Sequence, residues 1–84
     1  MGEEKVFLAL ADGTRLKIVK ILLKGEQCAC RLPSLVGRAQ PTISLQLKKL
    51  FELGIIGNRK EGIKSIYFVK SRKIAKLIED AKGI

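Results

Sequence analysis

The sequence contains no histidine and no tryptophan, and it has only two cysteines and two prolines in 84 residues. Without histidine, the chain lacks the commonest general base and the usual partner of a serine or cysteine nucleophile. No glycine-rich phosphate loop follows a predicted strand, and the carboxylates Asp12, Glu26, Glu52 and Glu61 are scattered along the chain. These absences predict that the protein is not an enzyme.

Long apolar segments are also missing. The longest early apolar run, VFLALA at positions 6–11, is too short to span a bilayer. Glu3 and Glu4 precede it, where a signal peptide would carry positive charge. We therefore expect a cytoplasmic protein with no membrane partner. In that reducing compartment we expect Cys28 and Cys30 to be thiols rather than a structural disulfide.

Positive charge is what the chain has in excess. Seventeen lysines and arginines stand against eight acidic residues, which gives a net charge of +9. Such a surplus favours a polyanionic partner such as nucleic acid. The length suits one domain, and so small a core leaves apolar faces to spare, which predicts a dimer.

Four helices are predicted before the hairpin. Residues 3–11 carry an apolar cluster at helical spacing. Asp12 is a favourable N-cap for the second helix, and Gly25 should end it in the usual glycine manner. A short helix from near Cys30 to Gly37 follows, with Leu32, Leu35 and Val36 as its core residues. A longer helix opened by Ala39-Gln40-Pro41 comes next. Each has a proline in its first turn, where the missing N–H is tolerated.

The pattern changes after Gly54, which should close the fourth helix. The segments IIGNRK and IKSIYFV flank the turn pair Glu61-Gly62 and predict a β-hairpin. Ser71 then caps a last helix over residues 72–82. The predicted fold is mostly α with a small β-hairpin: a winged helix-turn-helix of five helices, with the hairpin between the fourth and the fifth. It occupies residues 1–84 as a single domain.

The helix opened by Pro41 has two chemically different sides. At about 100° per residue, its large apolar side chains share one side and should face the core. They are Ile43, Leu47, Leu50 and Phe51. A helix anchored in this way can enter the major groove of DNA, with its N-terminal residues nearest the bases. The residues predicted to read bases are Gln40, Thr42, Ser44, Leu45 and Gln46. Those predicted to bind phosphates, on this helix and on the hairpin, are Lys48, Lys49, Arg59, Lys60 and Lys64.

Four motifs occur in order along the chain: ALADGTRLKIVKILLKGE, EQCACRL, QPTISLQLKKLFELGII and KEGIKSIYFV. They resemble motifs of the ArsR/SmtB family of bacterial and archaeal repressors, and the match covers roughly residues 5–70. The resemblance implies a homodimer that binds a palindromic operator in double-stranded DNA and is released by a ligand. It also implies that the first and last helices, residues 3–11 and 72–82, form the dimer interface. The apolar residues that agree with such an interface are Val6, Phe7, Leu10, Ile74, Leu77, Ile78 and Ala81.

The resemblance further implies an effector site at Cys28 and Cys30, because thiol-type sensors of the family bind soft metals or arsenite there. Zinc takes four ligands, and arsenite takes three thiolates in such sensors, so two cysteines without histidine make an incomplete site. No resident cofactor is predicted. Three roles stay open for the pair: structural residues, a soft metal or metalloid site, and reversible oxidation. On a regular helix a disulfide between them would require unwinding, because i and i+2 side chains diverge.

These patterns together predict a sequence-specific, DNA-binding transcriptional repressor. The alternative from another class is a winged-helix module that binds a protein partner and carries its charge incidentally. The basic residues of the second helix, Arg15, Lys17 and Lys20, are expected to be solvated surface.

Overall fold

The chain is described by a computed structural model that covers residues 2–82, and over these residues it forms five α-helices and three β-strands. The helices are α1 (Gly2–Ala11), α2 (Gly13–Lys24), α3 (Leu32–Val36), α4 (Gln40–Glu52) and α5 (Arg72–Lys82). The strands are β1 (Gln27–Cys28), β2 (Ile56–Glu61) and β3 (Lys64–Val69), and a 3₁₀ turn (Ala29–Arg31) joins β1 to α3. The prediction of a winged helix-turn-helix is confirmed. Met1, Gly83 and Ile84, the ends of the predicted domain, lie outside the described residues. Within residues 2–82 no helix has both the length and the apolarity to cross a bilayer.

The two side-chain N-caps predicted from the sequence are present. Asp12 Oδ1 accepts a hydrogen bond from the Arg15 backbone N–H at 3.0 Å and opens α2. Ser71 Oγ accepts one from the Ile74 backbone N–H at 3.2 Å and opens α5. Each bond satisfies an amide that the helix itself leaves without a partner, so both helices begin where expected.

Three glycines were expected to end helices, and Gly54, which follows α4 with φ 75°, behaves like Gly37 and unlike Gly25. Gly37 follows α3 with φ 81°, in the left-handed region that glycine enters at little cost. Gly25 follows α2, but its φ of 162° is extended backbone. The expectation of the usual glycine ending is therefore wrong at Gly25, although α2 does end at Lys24.

The core takes side chains from every helix and from the segment that enters β2. Its buried apolar residues are Ala9, Ile18, Val19, Leu22, Leu32, Val36, Ile43, Leu47, Leu50, Ile55, Ile56, Ile74 and Ile78. No polar or charged residue within the described part of the chain is buried. Burial of apolar surface, which stabilises by about 25 cal/mol per Å², therefore holds the helices together.

The hairpin turn lies one residue further along than predicted. β2 and β3 pair antiparallel from Ile56↔Val69 to Glu61↔Lys64, which leaves Gly62 and Ile63 as the turn. Gly62 has φ 62°, and no non-glycine residue of the described chain has a positive φ. A positive φ at the first turn position alone is the pattern of a type II′ turn, whose twist suits a two-residue hairpin.

A third strand was not predicted. β1 pairs antiparallel with the free edge of β3, with Gln27 opposite Tyr67 and Cys28 opposite Ile66. The segment expected to start a helix near Cys30 is thus extended and then a 3₁₀ turn, and α3 begins only at Leu32. A two-residue strand is too short to produce an alternating pattern, so the sequence carried no signal for it.

Two apolar side chains predicted for the core are on the surface. Leu35 is 37% exposed and Phe51 is 50% exposed. Phe51 lies about 75° around α4 from the middle of the buried stripe at 100° per residue, which puts it on the flank. The core prediction is therefore wrong for these two residues.

Candidate nucleic-acid interface

Helix α4 is anchored on one side and free on the other. Ile43, Leu47 and Leu50 are at most 4% exposed and pack in the core, as predicted. The opposite side is polar apart from Pro41 and Leu45, and Leu45 is 52% exposed. The exposed residues on it include Gln40, Pro41, Thr42, Ser44, Leu45, Lys48 and Lys49. We call this set the outer face of α4; within the described residues, nothing in the fold covers it.

The turn that leads into α4 adds a cation that the sequence analysis missed. Lys17 Nζ donates to the Val36 carbonyl at 3.0 Å and so ties α2 to the end of α3. Arg38 follows in the turn and is exposed, and its guanidinium has no hydrogen-bond or ion-pair partner among residues 2–82. A basic residue in the turn before the exposed helix was the signal that could have identified it.

Arg15 is not the solvated residue expected from the sequence. Its Nε donates to the Ala9 carbonyl at 2.8 Å, at the end of α1. Its Nη1 donates to Gln46 Oε1 at 2.6 Å, on α4. One guanidinium therefore connects α1, α2 and α4, and Gln46, which is partly buried, has its amide oxygen engaged.

The hairpin carries lysines close to its turn. Lys60 and Lys64 are exposed, and Lys60 Nζ donates to Ser65 Oγ at 2.8 Å. Ile63, in the turn itself, is fully exposed. Both lysines are exposed, as a phosphate contact through a flexible point charge requires.

Arg59, predicted as a phosphate contact, is occupied by two carboxylates. Its guanidinium donates to both oxygens of Glu26, at 2.7 and 2.8 Å, and to Oε2 of Glu61. Arg59 and Cys28 both lie opposite Ile66 of β3, so this bridge crosses the sheet from β2 to the residue just before β1. Arg59 therefore holds the hairpin to the body of the domain instead of projecting a free charge.

This bridge shifts the protonation equilibria of its members. The hydrogen bonds from Arg59 lower the pKa of the Glu26 carboxyl below its usual 4.5, and burial opposes that shift. The hydrogen bonds of Arg59 to Glu26 and, with a smaller effect, to Glu61 raise the pKa of Arg59 above its usual value. The pKa of Glu26 is lower in the folded protein than in the unfolded chain. The carboxylate therefore stabilises the fold fully at a pH above the pKa of the unfolded chain, and this stabilisation is lost as the pH falls through the pKa of the folded protein.

We expect Arg59→Gln to move the pKa of Glu26 back towards 4.5, because the bidentate partner is lost. A side-chain carboxyl NMR titration measures this directly. Lys64→Gln removes the same charge from the hairpin without touching Glu26, so it should leave the titration nearer to that of the wild type. Equal midpoints in the wild type and in Arg59→Gln would contradict the bridge.

Cys28 and Cys30 are joined by a disulfide, contrary to the expectation of free thiols. Cys28 has strand backbone angles, φ −63° and ψ 140°, while Cys30 lies in the 3₁₀ turn, and the two Cα atoms are 5.1 Å apart. That separation is within the usual disulfide range. The side chains of residues i and i+2 diverge only where both residues are helical, and Cys28 is extended.

A soft metal does not fit the residues around this pair. Among residues 2–82 there is no group of three or more histidine, cysteine, aspartate or glutamate side chains that could hold a metal ion. The chain offers two cysteine sulfur atoms, and these are bonded to each other. Zinc or arsenite would need more ligands than the pair supplies.

The apolar residues of α1 and α5 divide into two sets. Ile74 and Ile78, predicted for a dimer interface, are at most 6% exposed and already belong to the core of their own chain. Phe7 is 57% exposed and Leu77 is 36% exposed, and Ala81 is exposed as well. Val6 and Leu10 are partly buried. A groove of about 410 Å³ lies between α1 and α5, with Phe7 and Leu77 in its wall.

Comparison with protein families gives one matching model. Residues 12–57, from the N-cap of α2 to the start of β2, match the model of the bacterial regulatory proteins of the arsR family. The match contains the helix-turn-helix formed by α3 and α4, and it agrees with the resemblance found in the sequence motifs.

Individual proteins give the same result. The chain is 39% identical over 82 residues to a cadmium resistance transcriptional regulatory protein CadC homolog of Staphylococcus aureus, covering 96% of this chain and 68% of that protein. It is 40% identical over 82 residues to an arsenical resistance operon repressor of Escherichia coli K12, covering 92% and 69%. A homodimeric winged helix-turn-helix DNA-binding domain from Mycobacterium bovis superposes with a TM-score of 0.88 at 28% identity, covering 96% of this chain and 75% of that one.

Proposed function

The chain belongs to the arsR family of bacterial regulatory proteins, and from that premise we propose that it is a homodimeric repressor that binds a palindromic operator and is switched by the redox state of Cys28 and Cys30. As a member of this family it is a DNA-binding transcription regulator and not an enzyme, in agreement with the missing catalytic groups. The alternative of a module that binds only protein is not favoured by these relatives.

The observation that carries the proposal is the outer face of α4. The helix is fixed by Ile43, Leu47 and Leu50, while its other side is exposed and begins with small and polar residues. The major groove of DNA is wide enough to admit such a helix. The base-reading residues that we propose are Gln40, Thr42, Ser44, Leu45 and Gln46.

The phosphate contacts that we propose differ from the predicted set in two members. Lys48, Lys49, Lys60 and Lys64 keep that role because all four are exposed. Arg38 joins them from the turn before α4. Arg59 acts indirectly: its ion pair with Glu26 holds the hairpin in place, so that the hairpin's Lys60 and Lys64 reach the DNA backbone.

A homodimer through the α1 and α5 surfaces accounts for the apolar groove between them. Phe7 and Leu77 supply exposed apolar area in the groove, and Ala81 is exposed further along α5. Ile74 and Ile78 support this surface from within the protomer. A two-fold axis at this surface pairs two copies of α4, whose half-sites would lie about 34 Å apart, one turn of DNA. The M. bovis domain that superposes on this chain is itself homodimeric.

Cys28 and Cys30 lie where the β2–β3 hairpin meets the helix-turn-helix of α3 and α4. Cys28 ends β1, which pairs with β3 of the hairpin, and Cys30 lies in the turn that leads into α3. A peroxide converts the two thiols to the disulfide with release of two water molecules, through a sulfenic acid on one cysteine. The reduced form joins the two segments covalently only through the backbone of Ala29. The redox state therefore changes how firmly the hairpin is connected to α3, in the cytoplasm where we place the protein.

Selection from a random duplex library tests this function. Parallel selections with a reductant and with hydrogen peroxide should recover one dyad-symmetric site, with a change in affinity of about tenfold or more between the two conditions. The double variant Cys28→Ser, Cys30→Ser should bind the same site equally in both. Recovery of no preferred sequence would contradict the repressor assignment, and equal affinities of the wild type in both conditions would contradict the switch.

A further inference from the structure

Helix α1 is held against the rest of the domain by little apolar packing. Ala9 is its only buried residue among the described side chains, and a methyl group removes little surface from water. A groove of about 320 Å³ lies between α1 and the C-terminal half of α4, with Leu8 of α1 and with Lys49 and Glu52 of α4 in its wall. The two helices are therefore not closely packed along this groove.

Arg15 spans the gap between these helices with hydrogen bonds. Its Nε donates to the Ala9 carbonyl at 2.8 Å, and its Nη1 donates to Gln46 Oε1 of α4 at 2.6 Å. The Arg15 side chain itself lines the groove. The Ala9 carbonyl lies in the last turn of α1, where carbonyl groups have no partner within the helix. The guanidinium is therefore bonded to α1 through one nitrogen and to α4 through another.

The backbone of Arg15 is held as well. Its N–H donates to Asp12 Oδ1 at 3.0 Å, and Asp12 is the single residue between α1 and α2. Hydrogen bonds from a charged donor are roughly twice as strong as neutral ones, and the planar guanidinium loses little freedom when it forms two of them. Arg15 is thus a stiff connection between the two helices and not a mobile surface charge.

The two connected helices have different tasks in the proposed homodimer. Helix α1 carries exposed apolar surface at Phe7 in the dimer interface, and α4 carries the outer face that enters DNA. A symmetric dimer reads two half-sites, so the distance between its two α4 helices must match the spacing of those half-sites. A shift of α4 relative to α1 occurs in both protomers and therefore changes that distance twice.

We infer that Arg15 is a positioning residue that fixes α4 to the interface helix α1 and thereby sets the half-site spacing that the dimer accepts. The inference rests on the proposed function, because it needs a homodimer that reads a palindromic operator. Arg15 does not have to touch DNA in this role. It acts through the position of α4, so its loss should change the choice of spacing and not only the affinity.

Operators with altered spacing test this role. Insertion or deletion of one base pair at the dyad moves and rotates one half-site relative to the other, so the wild type should lose about tenfold or more in affinity with either change. Arg15→Met keeps much of the apolar stem and removes all the donors. This variant should bind the selected operator about tenfold more weakly and should bind all three spacings within about threefold of one another. Lys20→Met removes the same charge from the exposed surface of α2 and should discriminate as the wild type does.

A second variant breaks the connection from its other end. Gln46→Met is similar in size, removes the acceptor and leaves Arg15 in place. Pulsed electron–electron resonance without DNA measures the separation of the two α4 helices, with spin labels on Ser44→Cys in a Cys28→Ser, Cys30→Ser background. Gln46→Met and Arg15→Met should each broaden the distance distribution, and the double variant should broaden it no further. Because no DNA is present, a base contact of Gln46 cannot produce this result.

The outcomes separate this inference from the proposed function. If the wild type is monomeric or selects no dyad-symmetric site, the proposed function fails and the inference fails with it. If the wild type is dimeric and selects a site but accepts all three spacings, or if Arg15→Met discriminates among them as strongly as the wild type, only the role of Arg15 is overturned. Thermal melting and sedimentation identify loss of the fold or of the dimer in Arg15→Met, and the distance distribution of Gln46→Met then decides alone.

Discussion

Raising the salt concentration from roughly 50 to roughly 200 mM is expected to weaken binding to the selected duplex by about 10³–10⁵-fold. The five cations that we assign to phosphates are Arg38, two lysines on α4 and two on the hairpin, and all are exposed, so a dimer offers ten such contacts. Each neutralised phosphate releases a condensed counterion, and the logarithm of affinity falls with the logarithm of salt by about 0.9 per contact. A titration followed by fluorescence anisotropy gives the slope.

Charge-matched variants show whether the effect belongs to these lysines. Lys48→Gln with Lys49→Gln removes two contacts from each protomer and should reduce the slope by about 3.6 for a dimer. Lys20→Gln with Lys24→Gln lowers the net charge equally, but both residues lie on α2 outside the proposed surface. Equal slopes for the two double variants would contradict the assignment of phosphate contacts to α4.

The second large effect is expected in the stability of α4. Leu50→Ala should lower the free energy of unfolding by about 2–5 kcal/mol, because Leu50 is completely buried and its removal leaves a cavity. A chain of 84 residues has a total stability of about 4–13 kcal/mol. Chemical denaturation at ambient temperature should therefore show that Leu50→Ala retains only a small free energy of unfolding.

Leu45 provides a matched control on the same helix. It is 52% exposed, so Leu45→Ala should change the free energy of unfolding by about 0.5 kcal/mol or less. If its side chain contacts a thymine methyl group, the same variant should lose DNA affinity while keeping its fold. A large loss of stability in Leu45→Ala, or none in Leu50→Ala, would mean that α4 is turned the other way.

The elements with strong local signals were predictable from the sequence. Asp12 and Ser71 cap α2 and α5 as expected, because a capping side chain and the amide that it binds are only three residues apart. The orientation of α4 followed from the spacing of Ile43, Leu47 and Leu50. These features depend on residues that are close together in the sequence, so the local sequence pattern is enough to predict them.

Features that depend on distant partners were missed. The Arg59 side chain was predicted to be free, yet it pairs with Glu26, 33 residues earlier in the chain. Arg15 reaches Gln46 across 31 residues. Neither contact leaves a periodic pattern, because each is created when the hairpin and α4 pack on the rest of the domain. The strand containing Cys28 was missed for the same reason, since it exists only through pairing with β3.

The central claim is that the outer face of α4 enters the DNA groove while its apolar face stays in the core. Amide chemical-shift mapping by NMR tests it most directly, with a mixed-sequence duplex of roughly two helical turns added at low salt. We predict the largest shift changes at Gln40, Thr42, Leu45 and Lys49 and at the hairpin turn, with much smaller ones in α5. Largest changes in α1 and α5, or no change at any amide, would contradict the claim.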